Sequence, residues 1–384
     1  MHHVYSVHSL RELKAVMPES GGSVVLTGHS RPGDGGGGMF QWVATSDATP
    51  DDGIVVAADN GPSGQVKSPV GKGRWHRVES TPINARWFGA AGDGADATDA
   101  IQRALDASRD GGTVYIPSGI YNVTRPLRIY QGTALTGDGL FTRLHYVGAK
   151  ETACLQSATP ERSCSFHVAR VNIEVYSEGA WGVDLRGMSF GRFDHISVHL
   201  RKPQTSGYYG PGNGQSPYYN VFTGCHIAGP GTEDTNGCIG FNFSYDIETA
   251  HQSANANQVI GGHINSCQKA VICYGTGNVF YGQVFEQCHD GYVFDLSPGR
   301  LQDASKGTVN SIAGLYTEYV KRVIVQGHES CVVTAELTHT TGYETVFDGK
   351  NKANSVVLTS HDGRLEASRS FVHRMIDLKV DGHQ

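Results

Sequence analysis

One motif recurs along the second half of the chain and constrains the fold more than any other feature. The motif Asn-x-x-x-Gly, with a Phe, Val or Ile two residues after the asparagine, occurs at Asn220/Gly224, Asn257/Gly261, Asn278/Gly282 and Asn310/Gly314. The asparagines are 37, 21 and 32 residues apart. Repeats of this size are the signature of a solenoid, in which each coil buries its apolar face only against neighbouring coils. Twenty-one residues suit one bare coil of a parallel β-helix, and the longer intervals suit coils with insertions.

The same repeat predicts which side chains face the interior. Positions two and seven after each asparagine are mostly apolar, and we predict that they point inward. Cys267 and Cys288 each lie ten residues after an asparagine, so they are predicted to stack inside adjacent coils. The asparagines themselves are predicted to form an internal ladder of hydrogen bonds.

A second informative segment runs from Trp87 to Tyr121. It contains a glycine turn, an amphipathic helix predicted near residues 98–109, and a strand closed by a proline-glycine turn. This segment resembles the N-terminal signature of the pectate-lyase-like superfamily. Members are right-handed parallel β-helix proteins, among them many phage tailspikes and secreted polysaccharide-cleaving enzymes. The resemblance implies that the short helix plugs the first coil.

We therefore predict an all-β fold, a right-handed parallel β-helix (solenoid) over residues 85–363 with a short capping helix. Residues 1–84 are predicted to form a small N-terminal β module, and residues 364–384 a C-terminal cap or trimer contact. The N-terminal region resembles the small β module that precedes the β-helix in many tailspike-like proteins. That resemblance implies a role in capping, particle attachment or trimer nucleation.

Composition excludes several other classes of protein. Fifty glycines without a Gly-X-Y period exclude collagen. A net charge of −6 without a basic stripe argues against a nucleic-acid partner, and suits a neutral or amine-bearing glycan at least as well as a polyanion. No apolar run is long enough to span a membrane, and the first residues lack the features of a signal peptide. The eight cysteines are too dilute for a disulfide scaffold and are predicted to be reduced and buried.

The repeat also places two carboxylates side by side. If the seventh residue after the asparagine faces inward, the eighth faces outward, where successive coils carry Glu286 and Glu318. Carboxylates about 5 Å apart disfavour joint ionisation, so that one acid carries a proton beside a charged base, and retaining glycosidases use such a separation. We predict that both glutamates are catalytic and that Tyr316 binds substrate beside them. The alternative is that the glutamates contact turn amides or a neighbouring subunit.

Two insertions carry further candidate residues. Residues 201–219 are interpreted as an aromatic-rich loop that stacks on sugar rings, with Arg201, Tyr208, Tyr209, Tyr218 and Tyr219 as candidate substrate-binding residues. The alternative is a loop packed on the helix wall or on a partner chain. Residues 233–258 supply three candidate acids, bases or neutralising partners: Asp246, Glu248 and His251.

Other constellations are weaker, and no cofactor or metal is predicted. His226 and His263 occupy equivalent positions and are predicted to stack, but a metal site would need a third ligand. The calcium–aspartate cluster and arginine base associated with pectate lyases are not recognisable, which argues against cleavage of pectate itself.

The resemblance implies an endo-acting depolymerase of a bacterial surface or extracellular polysaccharide, and the carboxylate pair favours hydrolysis. One alternative is a lyase that acts by β-elimination on a uronate, with His251 or a tyrosine as base. Another is a non-catalytic glycan-binding tail fibre or adhesin. The resemblance implies a homotrimer, phage tail proteins as partners, and a location in the phage virion tail or outside the cell.

Overall fold

The structure, a computed structural model, is built almost entirely from strands. It describes residues 4–16, 22–59, 72–79, 81–159, 163–211, 217–231, 236–244, 254–296, 308–349 and 355–358. The strands form one small sheet near the N-terminus and a long stack of parallel coils. No helix in these ranges has both the length and the apolar character needed to cross a bilayer.

The N-terminal sheet has five strands and one short helix. In spatial order the strands are Val4–Val7, Ser23–Leu26, Gly38–Val43, Arg74–Arg77 and Val55–Val56. Helix α1, Leu10–Ala15, begins at the N-cap Ser9, whose hydroxyl accepts the backbone N–H of Glu12. Leu13 of α1 packs with Phe40 and Trp75 in a hydrophobic core that is separate from the core of the β-helix.

Arg77 joins this sheet to the coils that follow. Its guanidinium is buried and donates to the carbonyl oxygens of Gly36, Gly37 and Gly53 at 2.7–3.0 Å. The same group lies 4.4 Å from the ring centroid of Trp87, a residue of the β-helix core. Burial lowers the pKa of Arg77 to about 10, so the side chain stays charged at neutral pH.

Between residues 83 and 358 the described ranges form a right-handed parallel β-helix, as predicted, whose coils have three walls. Residues 364–384, predicted to form a C-terminal cap or trimer contact, lie outside the described residues. Wall A contains the strands Ile83–Asn84, Gly112–Ile116, Thr133–Gly137, His167–Ala169, Arg192–Asp194, Val221–Thr223, Gln258–Ile260, Val279–Tyr281 and Ser355–Leu358. Wall B contains the strands Asp93–Asp96, Gly119–Val123, Thr142–Tyr146, Asn172–Val175, Ser197–Leu200, His226–Ala228, His263–Asn265 and Val284–Glu286. Two long strands run through both walls, Thr308–Glu318 and Cys331–Thr341.

Wall C completes each coil. Its nine strands are Leu127–Ile129, Ala153–Ser157, Trp181–Asp184, Ser206–Tyr209, Ile239–Phe243, Lys269–Cys273, Asp290–Phe294, Arg322–Gln326 and Thr345–Asp348. A minor pair, Ser163–Cys164 and Met188–Ser189, lies between walls C and A.

A short helix covers the first coil. Helix α2, Thr98–Ala107, buries Ile101, Ala104 and Leu105 against the first strands of the β-helix. Asp96 accepts the backbone N–H of Thr98 at 3.0 Å and so caps its start. Two 3₁₀ turns, Ala85–Phe88 and Gly139–Phe141, complete the helical segments of the described residues. An apolar core open at the end of a solenoid would contact water, and α2 prevents this contact.

The predicted asparagine ladder is confirmed. All four asparagines of the repeat are buried, and each of the first three donates its backbone N–H to the side-chain oxygen of the next, at 2.9–3.1 Å. Four coils are therefore bonded to one another through their interior. The glycine that ends each motif turns the chain from wall A to wall B with φ of +58° to +66°, a conformation that disfavours most side chains.

The inward positions are also confirmed. Phe222, Phe280 and Phe285 are fully buried, and Cys267 and Cys288 lie in the same core. Seven cysteines of the described ranges are free and buried: Cys154, Cys225, Cys238, Cys267, Cys273, Cys288 and Cys331.

The interpretation of residues 201–219 as a loop is wrong for its central part. Ser206–Tyr209 is a strand of wall C, in register with Val183 and Phe241 at Tyr208. Tyr208 therefore points inward, is 0% exposed and stacks on Phe241 with ring centroids 4.7 Å apart. A residue without surface cannot bind the substrate, so Tyr208 is a core residue.

Candidate functional site

The outward side chains of wall B form two regular columns, which we call the wall-B face. Successive strands are in step, so equivalent residues follow one another about 4.8 Å apart. The first column is Arg143, Asn172, Ser197, His226, His263, Val284, Tyr316 and His339. The second column is His145, Glu174, His199, Ala228, Asn265, Glu286, Glu318 and Thr341. Almost every rung thus presents polar groups to one surface.

Glu286 and Glu318 are direct neighbours in the second column. The residues before them, Phe285 and Thr317, are fully buried, so both carboxylates face outward as the repeat predicts. The hydroxyl of Tyr316 donates a hydrogen bond to Oε1 of Glu318. The structure therefore brings together three of the predicted site residues.

Histidines lie on the rungs before and after the two glutamates. Nε2 of His263 lies 3.4 Å from Oε2 of Glu286, whose side chain is 41% exposed. The ring of His339 stacks on Tyr316 with centroids 4.6 Å apart. The pKa of Tyr316 is raised, first because its hydroxyl donates to Glu318, then by desolvation and by the charges of Glu318 and Glu286. The phenol consequently remains a hydrogen-bond donor at neutral pH.

A groove of about 630 Å³ occupies the other end of the wall-B face. It is lined by Gly139, Leu140, Arg143, Asn172, Glu174, His195, Ser197, His199, Arg201, Gly224 and His226. Most of these residues lie on wall-B strands, and the turns between walls A and B form the edge of the groove.

Glu174 is the central charged group of this groove. Its buried carboxylate accepts the Tyr176 hydroxyl at 2.9 Å and two N–H groups of Arg201 at 2.9 and 3.0 Å. Burial acts to raise the pKa of Glu174, but the hydrogen bonds from Tyr176 and Arg201, with the charge of Arg201, outweigh it and lower the pKa. Glu174 is therefore ionised at neutral pH, and Arg201 balances its charge.

Two histidines in the groove are neutral at pH 7. Burial lowers the pKa of His199, with the nearby Arg201 adding to the effect. Burial also lowers the pKa of His226 to about 4, helped by repulsion from His263 and His199. The three rings follow one another along the wall, with centroids 5.6 Å apart between His199 and His226 and 5.1 Å apart between His226 and His263. A neutral imidazole can accept a proton from a substrate.

The predicted substrate-binding residues lie in two places. Arg201 is on the wall-B face beside Glu174. Tyr209 is on wall C, where its ring stacks on Trp181 with centroids 3.4 Å apart. Tyr218 and Tyr219 lie at the corner between walls C and A, across the solenoid from wall B. The structure thus does not bring these three tyrosines to the carboxylate pair, and their contact with substrate stays a prediction.

Three predicted catalytic residues, Asp246, Glu248 and His251, lie outside the described residues. Within the described ranges no group of three or more His, Cys, Asp or Glu side chains is arranged to hold a metal ion. The rings of His226 and His263 are neighbours but tilted by 39°, and among those residues they have no third ligand for a metal ion.

Sequence reasoning missed the groove residues Arg143, Glu174 and His199. They precede the first Asn-x-x-x-Gly motif, so the repeat does not mark their coils. The turn from wall A to wall B, which is made by a glycine in the later coils, is made here by Arg170 and His195, with φ of +53° and +52°. Alternation of polar and apolar residues in Asn172–Val175 and Ser197–Leu200 was the remaining signal.

The described residues thus form a right-handed parallel β-helix with a helix over its first coil and a polar wall-B face. Residues 82–158 match the family model described as rhamnogalacturonase A/epimerase, pectate lyase-like. Residues 6–80 match the model of a phage tail protein small four-stranded beta-sheet domain. The resemblance stated from the sequence is therefore confirmed for the family.

Two curated proteins match about a quarter of this chain. Mannuronan C5-epimerase AlgE1 and alginate lyase 7, both of Azotobacter vinelandii, are 34% and 33% identical over 110 and 109 residues. These matches cover 25% and 24% of this chain, and only 8% and 12% of the relatives.

Solved structures share the fold over nearly the whole chain. The gp42 tailspike of Acinetobacter phage vb_AbaP_AS12 gives a TM-score of 0.67 at 12% identity, covering 94% of this chain and 63% of its own. The tailspike gp49 of Acinetobacter baumannii bacteriophage Fri1, described as a capsular polysaccharide depolymerase, gives 0.56 at 13% identity, covering 93% and 70%. At this identity the likeness concerns the fold.

Proposed function

We propose that the protein is an endo-acting polysaccharide depolymerase that hydrolyses glycosidic bonds on the wall-B face. The observation that carries this proposal is the pairing of Glu286 with Glu318 on neighbouring rungs of an exposed polar wall. Parallel strands place such residues about 4.8 Å apart, close to the separation of about 5 to 5.5 Å that retaining glycosidases use. The depolymerase title of one structural neighbour supports the same substrate class.

The two carboxyl groups have different surroundings and therefore different proposed roles. Glu318 accepts the Tyr316 hydroxyl, which holds one oxygen in place and leaves the other to attack the anomeric carbon or to activate water. Glu286, whose side chain is 41% exposed, protonates the leaving glycosidic oxygen. The glycosidic C–O bond breaks as the anomeric carbon forms its new bond. If Glu318 is the attacking group, Glu286 then takes a proton from a water molecule that displaces the sugar from Glu318.

The length of the wall supports endo cleavage. Eight rungs from Arg143 to His339 span about 34 Å at the strand spacing, and the pair lies near one end. A face of this length contacts several sugar residues of a chain that continues past both ends. Binding energy from those distant residues positions the scissile bond at the pair.

Digestion of a panel of bacterial capsular and extracellular polysaccharides tests the proposal. Product size is followed by size-exclusion chromatography and unsaturated ends by near-ultraviolet absorbance. Glu286→Gln and Glu318→Gln are compared with Glu336→Gln, which changes an exposed glutamate on wall A. We expect shorter chains without new absorbance, at least a hundredfold slower in either site variant and unchanged in the control.

Other outcomes have clear meanings. Full activity in both site variants would exclude the carboxylate pair. Binding of a polysaccharide without any shortening would show a glycan-binding fibre or adhesin instead of an enzyme.

One observation favours a second candidate, β-elimination on a uronate-containing glycan. The neutral imidazoles of His199 and His226 can take a proton in the groove, where Arg143 and Arg201 supply positive charge. The name of alginate lyase 7 agrees with this chemistry. His251 remains a further candidate base, and products that absorb in the near ultraviolet would identify this reaction.

We also propose that the protein is a homotrimer in a phage virion tail, with other tail proteins as partners. The match of residues 6–80 to a phage tail domain supports the location. Wall A exposes an apolar patch of Ile260, Val279, Tyr281 and Val309, and a patch of this kind on neighbouring rungs suits a contact with a second copy of the chain. Light scattering is expected to give three chains per particle, and Tyr281→Lys is expected to lower that number.

A further inference from the structure

Four groove residues offer hydrogen-bonding groups that no protein group uses. Arg143, Asn172, Ser197 and His226 are consecutive members of the first column. Within the part of the chain that the structure describes, none of their side chains makes a hydrogen bond to another protein group. Four successive rungs therefore present free donors or acceptors to the same groove.

Asn172 gives the clearest sign of a ligand. The residue is only 5% exposed, and its Oδ1 atom is buried without a hydrogen-bond partner. A buried amide oxygen without a donor is unfavourable, so such positions usually bind water or a ligand. Asn172 lines the groove between Arg143 and Ser197, where a bound hydroxyl group would supply the missing donor.

The charge of the groove selects the kind of ligand. Arg201 is paired with Glu174, and the lowered pKa values of His199 and His226 leave both rings neutral at pH 7. The exposed guanidinium of Arg143 therefore remains as an unbalanced positive charge. The net charge of the chain, −6, suits a neutral or amine-bearing glycan at least as well as a polyanion, but the local charge of the groove is positive.

We propose that the groove is a subsite for an acidic sugar residue, with Arg143 binding its carboxylate and Asn172 and Ser197 binding its hydroxyl groups. A guanidinium binds a carboxylate through two parallel N–H groups, which fixes the orientation of the sugar. Asn172 lies four rungs from Glu286, about 19 Å along the wall. This inference rests on the proposed function and narrows its substrate to acidic polysaccharides.

Binding is measured in the Glu286→Gln, Glu318→Gln double variant, so that a bound chain is not cleaved. The probes are alginate, polygalacturonate and hyaluronate, each in its native form and after reduction of its carboxyl groups. Isothermal titration compares this protein with versions that also carry Arg143→Gln or Arg192→Gln. Arg192 is the matched control, because it is an exposed arginine on wall A.

We expect at least one native probe to bind at least tenfold more tightly than its reduced form. Arg143→Gln should remove that preference, Arg143→Lys should keep part of it, and Arg192→Gln should leave it unchanged. Equal binding of native and reduced probes, an unchanged preference in Arg143→Gln, or no binding of any native probe would overturn the subsite. Size-exclusion chromatography of each probe recovered from the titration shows whether the double variant still cleaves it, so a failure of the catalytic pair is distinguished from a failure of the subsite.

Discussion

Asn257 accepts two hydrogen bonds from Asn220 on a single Oδ1 atom, at 3.0 Å from the backbone nitrogen and 3.1 Å from the side-chain nitrogen. Its own backbone N–H then donates to Oδ1 of Asn278 at 2.9 Å. Both neighbours depend on this side chain, because all three residues are buried away from water. The ladder therefore links the stability of one coil to that of the next.

Replacement of this central asparagine is expected to destabilise the β-helix strongly. Asn257→Ala removes two accepted hydrogen bonds and leaves the buried N–H groups of Asn220 without an acceptor. Each unsatisfied buried group costs roughly 1–3 kcal/mol, so we expect a loss of about 2–5 kcal/mol in thermal or denaturant unfolding. Asn265→Ala, on the wall-B face, should change stability by less than about 0.5 kcal/mol. Similar losses in both variants would contradict a special contribution of the ladder.

Acid should destabilise the protein through His226. Its pKa is about 4 in the folded chain and 6.5 ordinarily, so between these values the unfolded chain binds a proton that the folded chain does not. Stability is therefore fully present above pH 6.5 and falls as the pH decreases towards 4. His226→Gln should remove about 1–2 kcal/mol of that decrease, measured as the difference in unfolding free energy between pH 7 and pH 5. Identical pH profiles for the two proteins would show that another group is responsible.

The junction at Arg77 should contribute to the stability of the N-terminal sheet. Arg77→Met removes three hydrogen bonds to carbonyl oxygens and the contact with Trp87. We expect a loss of about 2–4 kcal/mol and faster proteolysis near the junction. The control is Arg11→Met, which changes an exposed arginine on α1 and should have little effect. An unchanged melting temperature in Arg77→Met would refute this contribution.

Tyr316 should act on turnover more than on binding, if the proposed hydrolysis is correct. Tyr316→Phe removes the hydroxyl that donates to Glu318 but keeps the ring that stacks on His339. We expect kcat to fall about tenfold with KM nearly unchanged, since Glu318 loses the hydrogen bond that holds one of its oxygens in place for the reaction. Tyr281→Phe, on the exposed face of wall A, serves as the control. A change in KM alone would assign Tyr316 to substrate binding.

Tyr208 should matter for folding and not for substrate. Tyr208→Ala would leave a cavity among Phe193, Phe222 and Phe241 and is expected to cost about 3–5 kcal/mol of stability. Tyr208→Phe keeps the ring and should leave the kinetics of polysaccharide cleavage unchanged. A higher KM in a stably folded Tyr208→Phe protein would restore the residue to the binding site.

Local repetition explains which parts of the structure the sequence predicts. Where Asn-x-x-x-Gly is present, it defines the register of walls A and B, and this register alone predicts that Glu286 and Glu318 are neighbours. The glycine is informative because the corner needs a positive φ. In earlier coils Arg170 and His195 adopt the same backbone conformation, so the corner exists without its signal and the groove was not predicted.

Wall C shows a different limit. The asparagine motif marks walls A and B only, and the segments between it and the wall-C strands vary in length. Alternation along a strand shows which side chains share a face, but it does not show which face is buried. The sequence therefore could not distinguish Tyr208 from Tyr209, whereas the pairing of Tyr208 with Val183 and Phe241 does. Tertiary pairing, absent from a local pattern, decides which tyrosine is buried.

The segment 257–277 begins at one ladder asparagine and ends just before the next, so it enters and leaves the solenoid at equivalent positions. If this whole coil is exchanged or removed, the strands of the two flanking coils can still pair in register. Removing it would bring Glu286 one rung, about 4.8 Å, nearer to His226 without altering either coil. The wall-B face can therefore be lengthened or shortened by the insertion or removal of whole coils.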